Sequence, residues 1–306
     1  MKKVLITPQG FDFVSEDIRY LFAKDLEYKL TGGIIESKER LISNLKDCSG
    51  LIIGSEIVDK EVIDSAKSLK VIVRFGTSTE NIDVNYLKEK NIQLHTIKSQ
   101  HTVKGVARLC LSFLLIYLNN ILFHFRDNKD GLWTRYMNSD PEQITVGLVG
   151  SGDISREFFH VSSNMGFNFK YFSRKEKDYF SNKNIEFTDN LDDLISSSDV
   201  ISVHLPLNKD TEKLFSNKHL NKFNNKLLIN TSRAGIVDHA SLRDNINTLE
   251  NFYYFTDVLE NEPPKKIDLE LIQHPNVFST SHVGGYSKSA LIDVASSSIK
   301  LVNKYL

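Results

Sequence analysis

The stretch Val146-Gly147-Leu148-Val149-Gly150-Ser151-Gly152-Asp153-Ile154-Ser155 joins an apolar run to two glycines and then to a helix-forming segment. It predicts a buried strand over 145–149, a tight turn, and a helix opening at Asp153 and Ile154. Gly150 suits the turn, and Gly152 leaves room for a pyrophosphate against the backbone. The start of the helix offers unpaired N–H groups and a positive dipole end to phosphates. Ser155 replaces the third glycine of G-x-G-x-x-G, yet it is small enough to keep helix and strand close. Such a turn alone also serves plain strand–helix junctions; its strand–turn–helix context favours a dinucleotide.

Outward from this turn the same rhythm continues. Apolar runs at 168–172, 200–205, 226–230, 253–256 and 277–280 follow it, and runs at 4–7, 26–30, 51–53, 71–75 and 92–97 precede it. Segments with apolar residues three and four apart lie between them, at 16–24, 38–47, 60–67, 84–90 and 153–165, with Gly166 set to cap the last. Short apolar strands separated by amphipathic helices make an α/β protein with parallel sheets covered on both faces. A long helix over 102–125 separates two such series, and 287–306 is helical.

The 306 residues suffice for two domains, and 41% hydrophobic with 25% charged residues suits packed cores. A net charge of -1 gives no global pull toward nucleic acid or an anionic membrane. The apolar stretch 103–125 contains Lys104, Arg108, Asn119, Asn120 and His124, so it reads as a buried helix and not a membrane span. The apolar run after Met1 is too short for a signal peptide, and Cys48 and Cys110 have no metal-ligand spacing, so a reducing cytoplasm is expected.

At the end of the strand after the glycine turn, about 20 residues on, an NAD enzyme places an acid for the ribose diol. Ser173 stands there instead, followed by Arg174 and Lys175. A carboxylate repels a 2′-phosphate, whereas a hydroxyl and a guanidinium bind one. The expected cofactor is therefore NADP(H), with NAD(H) second; the other reading is a solvated charge pair.

Three further segments place chemistry just past strand ends. They are Asn230-Thr231-Ser232-Arg233, Asp257-Val258-Leu259-Glu260-Asn261-Glu262-Pro263, and Thr280-Ser281-His282-Val283-Gly284-Gly285. Ligands of open α/β sheets bind outside the carboxyl ends of the strands. Two more segments complete a series: Arg74-Phe75-Gly76-Thr77-Ser78, and His204-Leu205-Pro206-Leu207 through Thr211.

In this order and spacing the chain resembles the D-isomer-specific 2-hydroxyacid dehydrogenase family, over nearly its whole length. The resemblance implies two Rossmann-like domains: a flavodoxin-like substrate domain of residues 1–98 and 285–306, and a dinucleotide-binding domain of residues 99–284. The active site would lie in a crevice between them, closed by a hinge. Hydride would pass between the nicotinamide and C2 of a small 2-keto or 2-hydroxy acid. Arg233 would grip the carboxylate and polarise the carbonyl, His282 would exchange the proton, and Glu262 would orient His282 and raise its pKa. Glu260 is the rival acid.

Gly76, Thr77 and Ser78 would bind substrate. Gly150, Gly152, Asp153, Ile154, Ser173, Arg174, Lys175, His204, Leu205, Pro206, Thr211, Thr231, Ser232, Asp257 and Gly284 would line the cofactor, with Asp257 facing the carboxamide. Trp133 falls in what resembles the family's dimer arm, which implies a homodimer.

Some positions depart from the family pattern. Ser78 replaces a glycine of the substrate loop, Ser281 replaces a proline before the histidine, and Ala107-Arg108-Leu109 replaces Ala-Glu-His in the long helix. These changes leave the substrate open among glyoxylate, hydroxypyruvate, pyruvate-like acids and, if Arg74 or Lys98 reaches it, a phosphorylated acid. The alternatives are a nucleotide-sensing corepressor on the same scaffold, which binds cofactor without turnover, and another Rossmann enzyme such as a methyltransferase.

Overall fold

Consecutive strand residues face opposite sides of a sheet, so a strand covered on both faces can be apolar throughout. The strands here follow this rule closely. In the run Leu227, Leu228, Ile229, the first and third residues enter one core and the second enters another. Val71, Ile72 and Val73 divide in the same way between two other cores. The computed structural model describes residues 1–33, 37–181 and 183–306. It separates into two compact units, Met1–Thr102 with Gly285–Leu306, and Val103–Gly284.

The first unit holds strands β1 (Lys2–Ile6), β2 (Leu26–Leu30), β3 (Gly50–Ile53), β4 (Val71–Arg74) and β5 (Gln93–Thr96). They form a parallel sheet in the order β2-β1-β3-β4-β5, the flavodoxin-like arrangement. One face packs on helices Lys38–Leu45 and Lys60–Ser65, the second of which is capped by the Asp59 carboxylate accepting the Val62 N–H. The other face is covered by Leu291, Val294, Ala295, Ile299 and Val302 of the returning helix Lys288–Tyr305.

The second unit holds β6 (Thr145–Val149), β7 (Asn168–Phe172), β8 (Glu186–Thr188), β9 (Val200–Val203), β10 (Leu227–Asn230), β11 (Tyr253–Thr256) and β12 (Val277–Ser279). They form a parallel sheet in the order β12-β11-β10-β9-β6-β7-β8. The order reverses between β6 and β9, which opens a crevice at their carboxyl ends. Helix Gln100–Leu118 is long and apolar enough to cross a membrane by composition. Its Val106, Ala107, Cys110, Phe113, Leu114 and Leu118 instead enter the core of this unit with Phe158, Phe169 and Phe255.

Two local expectations are corrected, and one strand is found that was not expected. The single helix over 102–125 is two, Gln100–Leu118 and Ile121–Lys129, because Asn120 adopts φ 50°, a left-handed conformation that asparagine tolerates and that ends a helix. The helix over 16–24 is only a 3₁₀ turn, Arg19–Leu21. Strand β8 carried no signal, since two of its three residues are exposed. After Ser162 the helix from Asp153 tightens into a 3₁₀ turn and stops at Gly166, φ 97°.

Candidate active site

The register of the second sheet decides where the chemistry collects. Val149 pairs with Val203, Val203 with Asn230, Asn230 with Thr256, and Thr256 with Ser279. Five strands thus end on one line, and the residues that follow them emerge side by side. Arg233 leaves β10, Asp257 and Glu262 leave β11, and His282 leaves β12.

The His282 Nδ1 lies 2.7 Å from Glu262 Oε2, while Glu262 Oε1 accepts the Leu259 N–H at 3.0 Å. The bond to Glu262 raises the His282 pKa above its ordinary 6.5, against the opposing effects of burial and of Arg233. Burial would push the Glu262 carboxyl up, but the bond to His282 and the nearby Arg233 charge hold it below its usual value. Arg233 therefore lies close enough for both partners to feel its charge. Its guanidinium Nη1 donates to the Ser232 carbonyl at 2.7 Å. The rival acid Glu260 faces His239 at 3.6 Å, away from this pair.

His282 sits at φ 53°, a left-handed conformation costly for a non-glycine residue unless its surroundings impose it. Asp257 supplies that restraint. Its buried carboxylate accepts the Val283 and Gly284 N–H groups, each at 2.8 Å, and the Thr280 hydroxyl. Thr280, which sequence reasoning passed over, thus belongs to the support of His282.

At the crevice, Gly150 has φ 110°, and a Cβ there would meet the His204 carbonyl oxygen at 2.8 Å. Gly152 is the N-cap of helix Asp153–Ser162, and a Cβ there would meet nothing within 4 Å. The Ser155 hydroxyl donates to the Gly150 carbonyl at 2.7 Å and so closes the turn. An open cradle at a helix N-terminus fits a dinucleotide pyrophosphate. The buried His204 ring, held neutral with its pKa lowered to about 3 by burial, has neither nitrogen hydrogen-bonded. Its neighbours Leu205 and Pro206 begin a loop closed by the Thr211 hydroxyl, which donates to the Pro206 carbonyl at 2.6 Å.

Other expected residues are turned inward. The Ser173 hydroxyl donates to the Lys175 carbonyl, leaving Arg174 and Lys175 exposed beyond β7. Thr231 is buried, its hydroxyl 3.2 Å from Cys110 Sγ, and the Ser232 hydroxyl donates to the Val203 carbonyl at 2.6 Å. Gly76, Thr77 and Ser78 belong to the first unit, in the loop after β4. There Gly76 has φ 136°, and its carbonyl accepts the Ile97 N–H at 2.8 Å.

A guanidinium beside an acid-backed imidazole can bind a carboxylate, polarise a carbonyl and exchange a proton with its oxygen. Residues 111–284 match the family profile described as D-isomer specific 2-hydroxyacid dehydrogenase, NAD binding domain. A D-3-phosphoglycerate dehydrogenase of Archaeoglobus fulgidus is 29% identical over 91% of this chain and 53% of its own length. A hydroxypyruvate reductase of Thermotoga maritima is 28% identical over 96% of this chain and 95% of its own. The chain thus spans about half the length of the phosphoglycerate dehydrogenases it matches, and nearly all of the reductase. Among solved structures, a phosphoglycerate oxidoreductase of Vibrio cholerae superposes with a TM-score of 0.89, at 20% identity, over 100% of this chain and 99% of its own, a likeness of fold. With its glycine turn, its strand-end arginine and its acid-backed histidine, the chain belongs to the D-isomer specific 2-hydroxyacid dehydrogenase family.

Proposed function

We propose that the chain is a nicotinamide-dependent oxidoreductase that reduces a small 2-keto acid to the 2-hydroxy acid. The observation that carries this reading is the 2.7 Å Glu262–His282 bond within the electrostatic reach of Arg233, at the carboxyl edge of a dinucleotide-type sheet. The nicotinamide, when bound, supplies or accepts the hydride at C2. Arg233 holds the substrate carboxylate and draws electron density toward the carbonyl oxygen. His282 has its Nδ1 engaged by Glu262, so its Nε2 holds the proton that this oxygen takes up. In the oxidative direction the same nitrogen receives it.

Gly150, Gly152, Asp153 and Ile154 would hold the pyrophosphate, and His204 through Pro206, with Thr211, would flank it. Thr231, Ser232, Asp257 and Gly284 line the neighbouring strand ends and would flank the nicotinamide. The first unit is the proposed substrate domain, and its Gly76, Thr77 and Ser78 are assigned to the substrate carboxylate by family resemblance.

The preference for NADP(H) rests on the absence of an acid at Ser173 and on the exposed cations Arg174 and Lys175; the family description favours NAD. The hydroxypyruvate reductase covered over nearly its full length supports a hydroxypyruvate- or glyoxylate-like substrate. A homodimer is proposed from the exposed Leu132, Trp133 and Met137, at 55%, 84% and 94% exposure.

The test is oxidation of NADPH and NADH across glyoxylate, hydroxypyruvate, pyruvate and phosphohydroxypyruvate, with Arg233→Ala and His282→Ala. Turnover of at least one acid, lost about 100-fold or more in either variant, is expected. Cofactor binding with no turnover of any acid would favour a nucleotide sensor.

A further inference from the structure

Asn230 is the last residue of β10 and fully buried. Its Oδ1 accepts the Ser232 N–H at 3.0 Å, and its Nδ2 donates to the Arg233 carbonyl at 3.0 Å. One side-chain amide therefore clamps the peptide groups on either side of the Ser232–Arg233 junction. The same Nδ2 lies 3.4 Å from the Tyr254 hydroxyl, which is 3.3 Å from Thr256 Oγ1. The Asn230 backbone carbonyl accepts the Asp257 N–H at 3.0 Å and lies 3.0 Å from Thr256 Oγ1. Asp257 in turn holds the turn that carries His282.

We propose that Asn230 is a positioning residue: through its amide it fixes the backbone from which Arg233 reaches substrate. This rests on the reading of Arg233 as the substrate-binding cation. A long arginine side chain magnifies any rotation of its own peptide, and a displacement of about 1 Å at a reacting group can cost about 100-fold in rate. The network is buried, and both the oxygen and the nitrogen of the amide are engaged. Removing the amide leaves the Ser232 N–H and the Arg233 carbonyl to find other partners, so the turn loses its single preferred geometry. The backbone bond from the Asp257 N–H to the Asn230 carbonyl is independent of the side chain, so Asn230→Ala leaves it in place.

The experiment is a double-mutant cycle of Asn230→Ala with Arg233→Ala, measuring kcat/KM for the best keto acid and the Kd for the nicotinamide dinucleotide by fluorescence. Asn230→Ala is expected to lower kcat/KM about 10- to 100-fold in the wild-type background. In the Arg233→Ala background it should cost less than about 2-fold, because the group it positions is gone. The Kd should change less than about 2-fold in both. An equal fall in the two backgrounds overturns the proposal, because a general structural defect does not depend on Arg233. Should Asn230→Ala fail to fold, Tyr254→Phe replaces it in the cycle, with a loss of about 3-fold or more expected only where Arg233 is present; equal losses again overturn it. Wild-type turnover by Arg233→Ala alone would instead overturn the underlying assignment of Arg233.

Discussion

Glu262 Oε2 and His282 Nδ1 face each other at 2.7 Å, which leaves the opposite nitrogen of the imidazole as the one able to meet a substrate oxygen. The raised His282 pKa means that the protonated form persists above the ordinary 6.5. Reduction consumes that proton, so its rate should be high below the folded pKa and fall as pH rises through it; oxidation should rise over the same range. In Glu262→Gln the supporting charge is gone, the pKa drops, and the falling limb of the reduction profile moves to lower pH. At pH 8 the variant should lose about 100-fold in kcat/KM. A pH profile of Glu262→Gln that overlays the wild type would show that the pair does not govern the proton.

Asp257→Ala removes the acceptor for two backbone N–H groups and a hydroxyl at once. The left-handed His282 then loses the acceptor that holds its turn and keeps only its bond to Glu262. The expected loss in kcat is about 10- to 100-fold with a folded protein, and Thr280→Val should show a smaller fall in the same direction. Steady-state kinetics with a thermal melt distinguishes lost positioning from lost folding.

The two glycines of the phosphate turn should respond differently. Gly150→Ala places a methyl 2.8 Å from a backbone oxygen at a positive φ, so it should destabilise the second unit by more than about 1 kcal/mol. Gly152→Ala meets open space, so the fold should survive while the dinucleotide Kd rises. Equal melting temperatures for the two variants would contradict this assignment.

Cofactor choice is testable at the end of β7. Ser173→Asp should raise KM for NADPH through repulsion of the 2′-phosphate, and Arg174→Ala should weaken NADPH by about 10-fold while leaving NADH within about 2-fold. If neither variant alters the NADPH to NADH ratio, the two cations are a solvated surface pair.

Much of the sheet was legible because strands buried on both faces are written as short apolar runs, such as Leu227-Leu228-Ile229. The segments carrying Arg233, Glu262 and His282 stood out for a related reason: polar residues just past such runs fall at the carboxyl edge. The choice of these residues and their roles came from the family resemblance. What stayed hidden depends on three-dimensional closure. Asn230 reads as one more strand residue until its amide is seen gripping Arg233. Ser173 reads as an outward hydroxyl, yet its own turn captures it at Lys175. The break at Asn120 was masked because apolar residues continue on both sides of it.

The returning helix Lys288–Tyr305 has a consequence for how the protein is made. One face of the sheet formed by the first hundred residues owes much of its cover to side chains translated only after the whole of 103–284 has emerged. The intervening unit is continuous in sequence and has cores of its own. Until then the first sheet must keep Val4, Ile6, Val71 and Val73 from sticking to other chains, so it is completed only after the unit that interrupts it in the chain.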